Sequence, residues 1–286
     1  MNSWAGFVAA LLVGALIAFF GSDGGSKAFG LPVFALCVAT AFAIQWVAFV
    51  PAWLLRTERF FDLAGSLAYI GTACLALMLA DELSARTVVV GTLVALWALR
   101  LGTFLTLRVR REQGDRRFNS IKTHFPTFLM TWTLQAVWVS VTFGPGLASI
   151  VAVEQEPLDV FLAVGVLIWI AGFTIEVVAD EQKRRFRQSP ENASRFIQSG
   201  IWAWARHPNY FGEIVLWVGI AVVAFPVLQG WQYVTLVSPV FVWLLLTKIS
   251  GVRMLEASAR NRWGDDPEYT RYRSSTPMLI PRPPRR

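Results

Sequence analysis

Eight long stretches of apolar residues follow one another along this chain, and short polar segments separate them. A helix needs about 20 consecutive, mostly apolar residues to cross the hydrocarbon core of a bilayer. The pattern therefore predicts an all-α fold, a polytopic transmembrane helical bundle of about seven or eight spans. The predicted spans are residues 4–20, 31–52, 62–80, 87–107, 126–151, 158–179, 209–227 and 231–250.

Positive charge is concentrated in every second polar segment. All of the 26 Lys and Arg residues except Lys27, Arg86 and Arg100 lie in residues 53–61, 107–125, 180–208 and 248–286. Cytoplasmic loops contain the excess of Lys and Arg in membrane proteins, so we expect these segments and both termini to be cytoplasmic. This topology accounts for most of the net charge of +7 and needs no nucleic acid as a partner.

The chain is expected to form one integral membrane domain over residues 1–286, without repeats or a soluble domain. The first apolar stretch lacks a basic segment before it and a clear cleavage site after it, so we expect a retained helix. Residues 1–95 are uniformly apolar helix, whereas the unusual polar chemistry lies in residues 96–286. Cys37 and Cys74 both lie in apolar stretches, which favours a packing role.

The sixth predicted span ends in a charged helix face. Helical periodicity places Glu176, Asp180, Lys183 or Arg184, and Arg187 on one side. An intramembrane carboxylate is costly unless it faces a polar cavity or a partner, which predicts that Glu176 and Asp180 point into the protein. A ladder of ion pairs at a helix end explains the basic residues 183–185 well, but it explains Glu176 poorly.

The segment RHPNYFGE follows at the start of the next apolar stretch. Pro208 suits the first turn of a helix, and Arg206 and His207 add cationic donors beside the free amides of that turn, which attract anions. Glu213 lies one turn further on, in an apolar helix. An ordinary helix start next to a cytoplasmic arginine explains the rest of the segment, but it does not explain this carboxylate.

Two further regions combine basic and aromatic residues. The fourth span places Trp97, Arg100, Phe104, Arg108 and Arg111 on one face. Arg100 either binds an anion or pairs with a carboxylate, for which Glu176, Glu213 and Asp62 are the candidates. The C-terminal tail, residues 253–286, is either a membrane-surface helix or a cap on a cofactor pocket. The contacts of such a cap would come from Arg253, Arg260, Arg262, Tyr269 and Tyr272.

Several enzyme signatures are absent from the sequence. It contains no P-loop, no GxGxxG motif after a strand, no HExxH and no GxSxG. Soluble nucleotide-binding folds and zinc hydrolases are therefore disfavoured, and we assign no metal ligands.

The charged helix, the RHPNYFGE segment and the tail occur together in one known group of proteins. Arg187 follows Asp180 by seven residues, Tyr269 and Tyr272 form a Y-x-x-Y pair, and LIP lies near the end. In this combination the chain resembles the steroid 5-alpha-reductase C-terminal superfamily, and within it the bacterial members grouped as DUF1295. The superfamily is related to sterol reductases and isoprenylcysteine carboxyl methyltransferases. The resemblance extends over about residues 40–283 and is strongest from Gly172 onward.

The resemblance implies a membrane reductase of a bacterial inner membrane, in which cytoplasmic loops and the tail close a cavity for NADPH. It implies hydride transfer to an activated C=C bond of a lipid that enters from the bilayer, such as a 3-oxo-4-ene steroid or another enone. We expect the protein to act as a monomer. The cofactor-binding residues assigned on this basis are Arg108, Glu176, Asp180, Arg187, Arg206, His207, Asn209, Tyr210, Glu213, Arg262, Tyr269 and Tyr272. Trp97, Arg100 and Phe104 are assigned to the substrate pocket.

The chain departs from the animal steroid reductases at the proton donor. Their catalytic tyrosine aligns with Phe104, and no Gln-Glu pair precedes the third span. Glu58, Asp62 and Tyr69 are the candidate substitutes, because reduction of an enone needs a group that polarises the carbonyl.

Two other functions stay open at this point. A methyltransferase of the isoprenylcysteine carboxyl methyltransferase type shares RHP-x-Y and the Y-x-x-Y tail, and it would use S-adenosylmethionine. The spacing of Asp180 and Arg187 before RHPNYFGE favours the reductase. A non-enzymatic lipid-binding protein needs no nucleotide pocket, and it leaves the intramembrane carboxylates unexplained.

Overall fold

The computed structural model describes residues 2–112 and 114–284, and it is nearly all helix. Outside the described residues lie Met1, Gln113, Arg285 and Arg286, of which the last two are basic residues of the predicted tail. The side chains of Glu112 and Arg116 are also outside the description. The helices are α1 (Ser3–Gly21), α2 (Val33–Leu54), α3 (Phe61–Leu79), α4 (Ala85–Glu112), α5 (Phe125–Thr142), α6 (Gly144–Ile150), α7 (Val160–Gln188), α8 (Pro208–Ala224), α9 (Ser238–Leu244), α10 (Gly251–Trp263) and α11 (Pro267–Ser275).

Short elements connect these helices. Strands β1 (Lys27–Ala28) and β2 (Leu31–Pro32) pair antiparallel in a small hairpin. The 3₁₀ segments are Arg116–Phe118, Ile121–Thr123, Pro190–Asn192, Gly200–Ala203, Phe225–Val227 and Gly230–Val237. One π-helical turn, Leu245–Ile249, joins α9 to α10.

Seven helical segments among the described residues are long and apolar enough to cross a membrane. Large apolar side chains such as Phe19, Val47 and Leu167 lie exposed on their outer faces, where a bilayer would cover them. The predicted polytopic helical bundle is thereby confirmed, and the chain is an integral membrane protein. The seven segments are Ser3–Gly21, Val33–Leu54, Phe61–Leu79, Ala85–Arg111, Val160–Gln188, Pro208–Val227 and Gly230–Trp263.

The predicted fifth span, residues 126–151, forms two helices, because the chain breaks at Phe143 and α6 restarts with a proline in its first turn. α5 is too polar to count among the seven segments. It nevertheless runs beside α1, since the Ser3 and Thr127 hydroxyls are 2.8 Å apart near the start of both helices. At the other end, the Ser26 amide donates to the Val151 carbonyl at 2.8 Å. α5 and α6 together therefore cover the same depth as α1.

The chain forms two compact units. The first contains Met1–Ala163 and Ile220–Ser238, and the second contains Val164–Gly219 and Pro239–Arg286. The expected division of one domain near residue 95 stays a prediction.

Polar contacts hold the loops of the first unit together at each end of its helices. At one end the Trp231 amide donates to Asp23 at 2.8 Å, and Arg86 pairs with Asp159 at 3.0 Å. At the opposite end, beside an aromatic core of Phe49, Phe118, Phe128 and Trp132, Lys122 pairs with Glu58 at 2.7 Å. Arg86 and Glu58 are both buried, so these ion pairs fix the loops between helices.

In the second unit, α7 and α8 touch backbone to backbone. A Cβ atom added to Gly172 would lie 2.5 Å from the Leu216 nitrogen and 2.6 Å from the Gly212 carbonyl oxygen. A Cβ on Gly212 would lie 2.6 Å from the Glu176 nitrogen. Small residues permit such close helix packing in membranes. Here they allow the start of α8 to pack directly against the charged half of α7.

Candidate functional site

Three buried carboxylates lie along the contact between α7 and α8. Glu176 is 2%, Asp180 6% and Glu213 8% exposed, and each has at least one polar or electrostatic partner. Asn209 donates from its amide nitrogen to Asp180 at 3.2 Å. The close approach at Gly212 thus brings together four of the residues assigned to the cofactor from the sequence.

A second group converges on Glu256, a residue of α10. Arg206 donates from Nη1 to one carboxylate oxygen at 2.5 Å, and His207 donates from Nε2 to the other at 3.0 Å. Arg273 of α11 approaches Glu256 at 3.4 Å. One carboxylate therefore joins the RHP segment (residues 206–208), α10 and α11.

His207 is held by a stacking contact as well as by its hydrogen bond to Glu256. The Tyr210 ring stacks on it, with centroids 5.8 Å apart and an interplanar angle of 12°. Burial lowers the pKa of His207 below its ordinary value, although Glu256 opposes this effect. The ring is therefore neutral near pH 7, and because a carboxylate only accepts hydrogen bonds, Nε2 bears the proton.

The chain end folds back onto the same segment. The Arg206 and His207 amides donate to the Pro277 and Met278 carbonyls at 2.9 and 3.1 Å, and the Arg282 amide donates to the Trp204 carbonyl at 2.9 Å. These bonds fix the backbone of the RHP segment, while Glu256 fixes its side chains.

Trp202 connects α7 to the tail. Its indole nitrogen donates to the Ala179 carbonyl at 3.0 Å, and its own carbonyl accepts from the Tyr272 hydroxyl at 2.7 Å. Lys183 lies 4.6 Å above its ring. Burial raises the pKa of Tyr272, so this hydroxyl stays protonated and keeps donating at physiological pH.

An aromatic cluster packs the tail against residues 193–196. Phe196 contacts the rings of Trp263, Tyr269 and Tyr272 at centroid distances of 5.8, 5.2 and 5.5 Å. Arg262 donates to the Ala193 carbonyl at 2.5 Å. Tyr269, Tyr272 and Arg262 were assigned to the cofactor from the sequence, and the contacts described here place them in the packing of the tail.

A cleft of about 450 Å³ opens between the RHP segment, the π-helical turn, α10 and the chain end. Among the described residues, Arg253 and Arg260 form no ion pair, whereas Arg206 and Arg273 share Glu256. The cleft therefore has an excess of positive charge. Its lining residues are Arg206, Thr247, Val252, Arg253, Glu256, Ala257, Arg260, Asn261, Arg273 and Met278.

The π-helical turn contributes Thr247 to the lining of the cleft. A Cβ on Gly251, two residues after this turn, would lie 2.8 Å from the Tyr210 ring and 2.5 Å from the Leu246 carbonyl oxygen. Glycine is therefore required there for Tyr210 to reach its position. π-helical turns are frequent at functional sites.

Other assigned residues are not among those that line this cleft. Arg187 is exposed near the end of α7 but has a partner, and Arg108 belongs to α4 in the first unit. Glu181 binds Arg184 and Arg185 at 2.6 Å each. That arrangement is the ion-pair ladder that the sequence offered as an alternative for the basic residues of α7.

The candidate proton donors of the first unit differ in their surroundings. Tyr69 is buried, bonds through its hydroxyl to Thr142, and packs edge to face on Trp97 at 5.0 Å. Glu58 accepts from Lys122 and from the Asp115 amide at 2.9 Å. Although burial raises the pKa of Glu58, these bonds outweigh it and hold the pKa below its ordinary value. Asp62 lies within electrostatic range of Arg108, Arg117 and Asp115.

The residues assigned to the substrate pocket lie along one face of α4. Trp97 is buried against Tyr69, and the Arg100 guanidinium lies 5.3 Å from the centre of the Phe104 ring. A residue of the substrate set and a candidate proton donor are therefore in direct contact. Arg100 also has a further partner of its own.

Sequence analysis missed four residues that organise these sites. Glu256, Arg273 and Trp202 belong to the contacts of the RHP segment, and Lys122 is the partner of Glu58. Glu256 is the one carboxylate of α10, which also contains three arginines. A single acidic residue in such a basic helix could have marked Glu256 from the sequence. The partners themselves depend on how the tail folds back.

The cleft suits a phosphate-bearing cofactor such as NADPH. Unpaired guanidinium groups bind phosphate oxygens in bidentate geometry, and Arg253 and Arg260 provide two of them. Among the described residues, no three His, Cys, Asp or Glu side chains form a group that could hold a metal ion. The charge and planar geometry of Arg253 and Arg260 fit an organic anion.

Comparison with known proteins gives a family match and several partial relatives. The model of the family described as "Protein of unknown function (DUF1295)" matches residues 48–276. The 3-oxo-5-alpha-steroid 4-dehydrogenase 1 of Bos taurus is 30% identical over 69 residues, which are 24% of this chain and 26% of that protein. The 3-oxo-5-alpha-steroid 4-dehydrogenase 2 of Homo sapiens is 32% identical over 63 residues, 22% of this chain and 25% of that protein.

A third relative extends over more of the chain. The Delta(14)-sterol reductase of Neurospora crassa is 30% identical over 138 residues, which are 43% of this chain and 23% of that protein. The chain thus spans about a quarter of the length of each of these three relatives. The resemblance to steroid 5-alpha-reductases and sterol reductases predicted from the sequence is confirmed.

Proposed function

This chain belongs to the DUF1295 family, whose model matches residues 48–276, and from that membership we propose that it is an NADPH-dependent membrane reductase. It transfers hydride to an activated C=C bond of a lipid, either a 3-oxo-4-ene steroid-like compound or another enone. The relatives are named for steroid dehydrogenation and sterol reduction, which favours redox chemistry on a polycyclic lipid. The observation that carries the proposal is the arginine-lined cleft beside the RHP segment.

NADPH would be held in the second unit. Arg253 and Arg260 are the residues we assign to its phosphates, because both line the cleft without a carboxylate partner among the described residues. Asp180 and Asn209, which bind each other at 3.2 Å, and Glu213 offer hydrogen-bond acceptors and a donor for hydroxyl and amide groups. When bound, NADPH would supply the hydride. Thr247 of the π-helical turn also lines the cleft.

The protein must polarise the carbonyl of an enone while hydride arrives. Tyr69 is the candidate we favour, since it is a buried hydroxyl held by Thr142 and in contact with Trp97. Glu58 is a weaker candidate. Its ion pair with Lys122 keeps it ionised, whereas a general acid must bear a proton at the working pH.

We also propose that the chain crosses the membrane eight times, in a bacterial inner membrane, with both termini in the cytoplasm. The proposal rests on the position of Lys and Arg in alternate loops and on the depth that α5 and α6 share with α1. A monomer whose substrate enters from the bilayer is the simplest arrangement for such a protein.

Ligand-induced thermal stabilisation of the detergent-purified full chain tests the proposed cofactor. A ligand at 100 times its Kd stabilises the folded state by about 2.7 kcal/mol if it binds that state alone. We expect NADPH to raise the melting temperature. S-Adenosylmethionine should have no effect, and a response to it alone would move the assignment to methyl transfer. A protein that responds to neither ligand would favour the lipid-binding alternative.

Arginine variants test where NADPH binds. The double variant Arg253→Ala/Arg260→Ala should weaken NADPH binding at least about ten-fold, because each charge-assisted hydrogen bond contributes roughly 1.5–3 kcal/mol. Arg271→Ala is the control, since Arg271 is exposed on α11 and outside the cleft lining. Unchanged affinity in the double variant would contradict the assignment of the phosphates to this cleft.

A further inference from the structure

The cleft contains one carboxylate among four arginines, and simple electrostatics predicts that this carboxylate opposes anion binding. Glu256 nevertheless faces Arg206 and Arg273, both of which line the cleft. A group whose only effect were repulsion would be unfavourable in a cofactor site. The contacts of Glu256 point to a different role.

Each oxygen of Glu256 has its own donor. Oε2 accepts from Arg206 at 2.5 Å, and Oε1 accepts from His207 at 3.0 Å. The side chains of Arg206, His207 and Glu256 are all largely buried, so water screens these contacts little. Both donors belong to adjacent residues whose amides are already bound to the chain end. With backbone and side chains both fixed, Arg206 has one orientation at the edge of the cleft.

We propose that Glu256 is a positioning residue of the cofactor cleft, which holds the Arg206 guanidinium and the His207 imidazole in the orientation that binds the cofactor. The proposal rests on the proposed function, because it assumes that the cleft binds NADPH. It assigns to Glu256 a geometric contribution that outweighs its repulsion of the phosphates. Without the Glu256 carboxylate, the Arg206 guanidinium could take other orientations, and the His207 imidazole would lose its hydrogen bond at Nε2.

Glu256→Gln separates these two effects, because the change keeps the size of the side chain and removes its charge. If repulsion dominated, NADPH would bind more tightly to the variant. If positioning dominates, NADPH binding weakens about ten-fold or more, since charge-assisted hydrogen bonds to both partners are lost. Glu256→Asp keeps the charge and withdraws the carboxylate by one methylene, so positioning predicts weaker binding there as well.

Asp265→Asn is the matched control. Asp265 is exposed between α10 and α11, has no partner among the described residues, and does not line the cleft. The substitution removes the same charge from the same tail, and it should change NADPH affinity less than about two-fold, as expected for a screened surface charge. An equal loss in this control would mean that overall tail charge sets the affinity, and it would overturn the proposal.

A nuclear magnetic resonance readout separates positioning from general loss of structure. His124 and His207 are the two histidines of the chain, so ¹⁵N-histidine labelling gives a resolvable spectrum of the full protein in detergent. Glu256 raises the pKa of His207 against the lowering effects of burial, Lys183 and Arg206. In Glu256→Gln the His207 resonance should therefore titrate at lower pH, while the resonance of His124 stays unchanged.

The outcomes distinguish the two proposals. If wild-type protein does not bind NADPH, the proposed function fails, and the His207 titration still decides whether Glu256 positions the imidazole. If wild-type protein binds NADPH, unchanged or tighter binding by Glu256→Gln overturns the positioning role. A His207 pKa that is the same in both proteins overturns it in either case.

Discussion

At the scale of single residues, buried charge was the most informative signal in the sequence and also the least complete. Glu176 and Asp180 were predicted to point into the protein, and both are buried, as is Glu213. Their partners could not be predicted, because the contacts depend on distant parts of the chain. Glu256 illustrates the limit, since its three partners come from residues 206, 207 and 273.

Glu58 belongs to the same scale, and it provides a prediction of acid sensitivity. Its pKa is lower in the folded protein than the ordinary value of about 4.3. Its stabilising contribution is therefore complete above that pH and is lost as the pH falls through the lower, folded-state pKa. Glu58→Gln should lower stability by about 2 kcal/mol at pH 7 and should flatten the loss of melting temperature between about pH 5 and pH 3.

Thermal unfolding in detergent across this pH range measures the effect. Lys122→Met, alone and combined with Glu58→Gln, completes a double-mutant cycle for the 2.7 Å ion pair. An additive double variant would mean that the pair contributes no coupling. A Glu58→Gln protein that kept its stability but lost all enone reduction would instead restore Glu58 as the proton donor.

At the scale of helices, the apolar pattern predicted where most elements begin and end, because a lipid-facing helix must be apolar over its whole length. The predicted span at residues 62–80 corresponds to Phe61–Leu79, and the one at residues 4–20 to Ser3–Gly21. The pattern failed where helices end inside the protein. Residues 126–151 look continuous in hydropathy, yet they divide at Phe143 before the buried α6.

The contact between α7 and α8 gives a prediction at this scale. Gly172→Leu should separate the two helices, because its side chain would occupy the space of the Leu216 nitrogen and the Gly212 carbonyl oxygen. Overpacking commonly costs about 1–3 kcal/mol, and contact with backbone atoms places this site at the upper end of that range. The melting temperature should fall, and NADPH stabilisation should fall with it, since Asp180 and Asn209 would move apart.

Ala171→Leu is the control for this experiment. Ala171 is exposed on the same helix, where an added apolar side chain faces the surroundings and should change stability less than about 0.5 kcal/mol. Equal melting temperatures in the two leucine variants would contradict the close contact.

At the scale of the whole molecule, the alternation of basic and non-basic loops predicted the topology, and α5 with α6 is its critical element. If this pair crosses the membrane, residue 119 before it and residue 156 after it lie on opposite sides. If it does not cross, both residues lie on the same side. The shared depth with α1 favours crossing.

Labelling of single cysteines decides between these topologies. In a background of Cys37→Ala and Cys74→Ala, a membrane-impermeant thiol reagent applied to intact cells should label Glu156→Cys and not Asn119→Cys. Both original side chains are exposed, so the absence of labelling reflects the side of the membrane. Permeabilised cells provide the positive control. Labelling of both positions in intact cells would contradict the eight-span arrangement.

The glycine contact between α7 and α8 also predicts how homologous sequences diverge. Two side chains that touch can change together during evolution, because a larger residue on one helix is offset by a smaller one on the other. Gly172 and Gly212 face main-chain atoms of the opposite helix, and no substitution removes a main-chain atom. Relatives that keep this packing should therefore show glycine fixed independently at both positions, without the covariation by which most helix contacts are recognised.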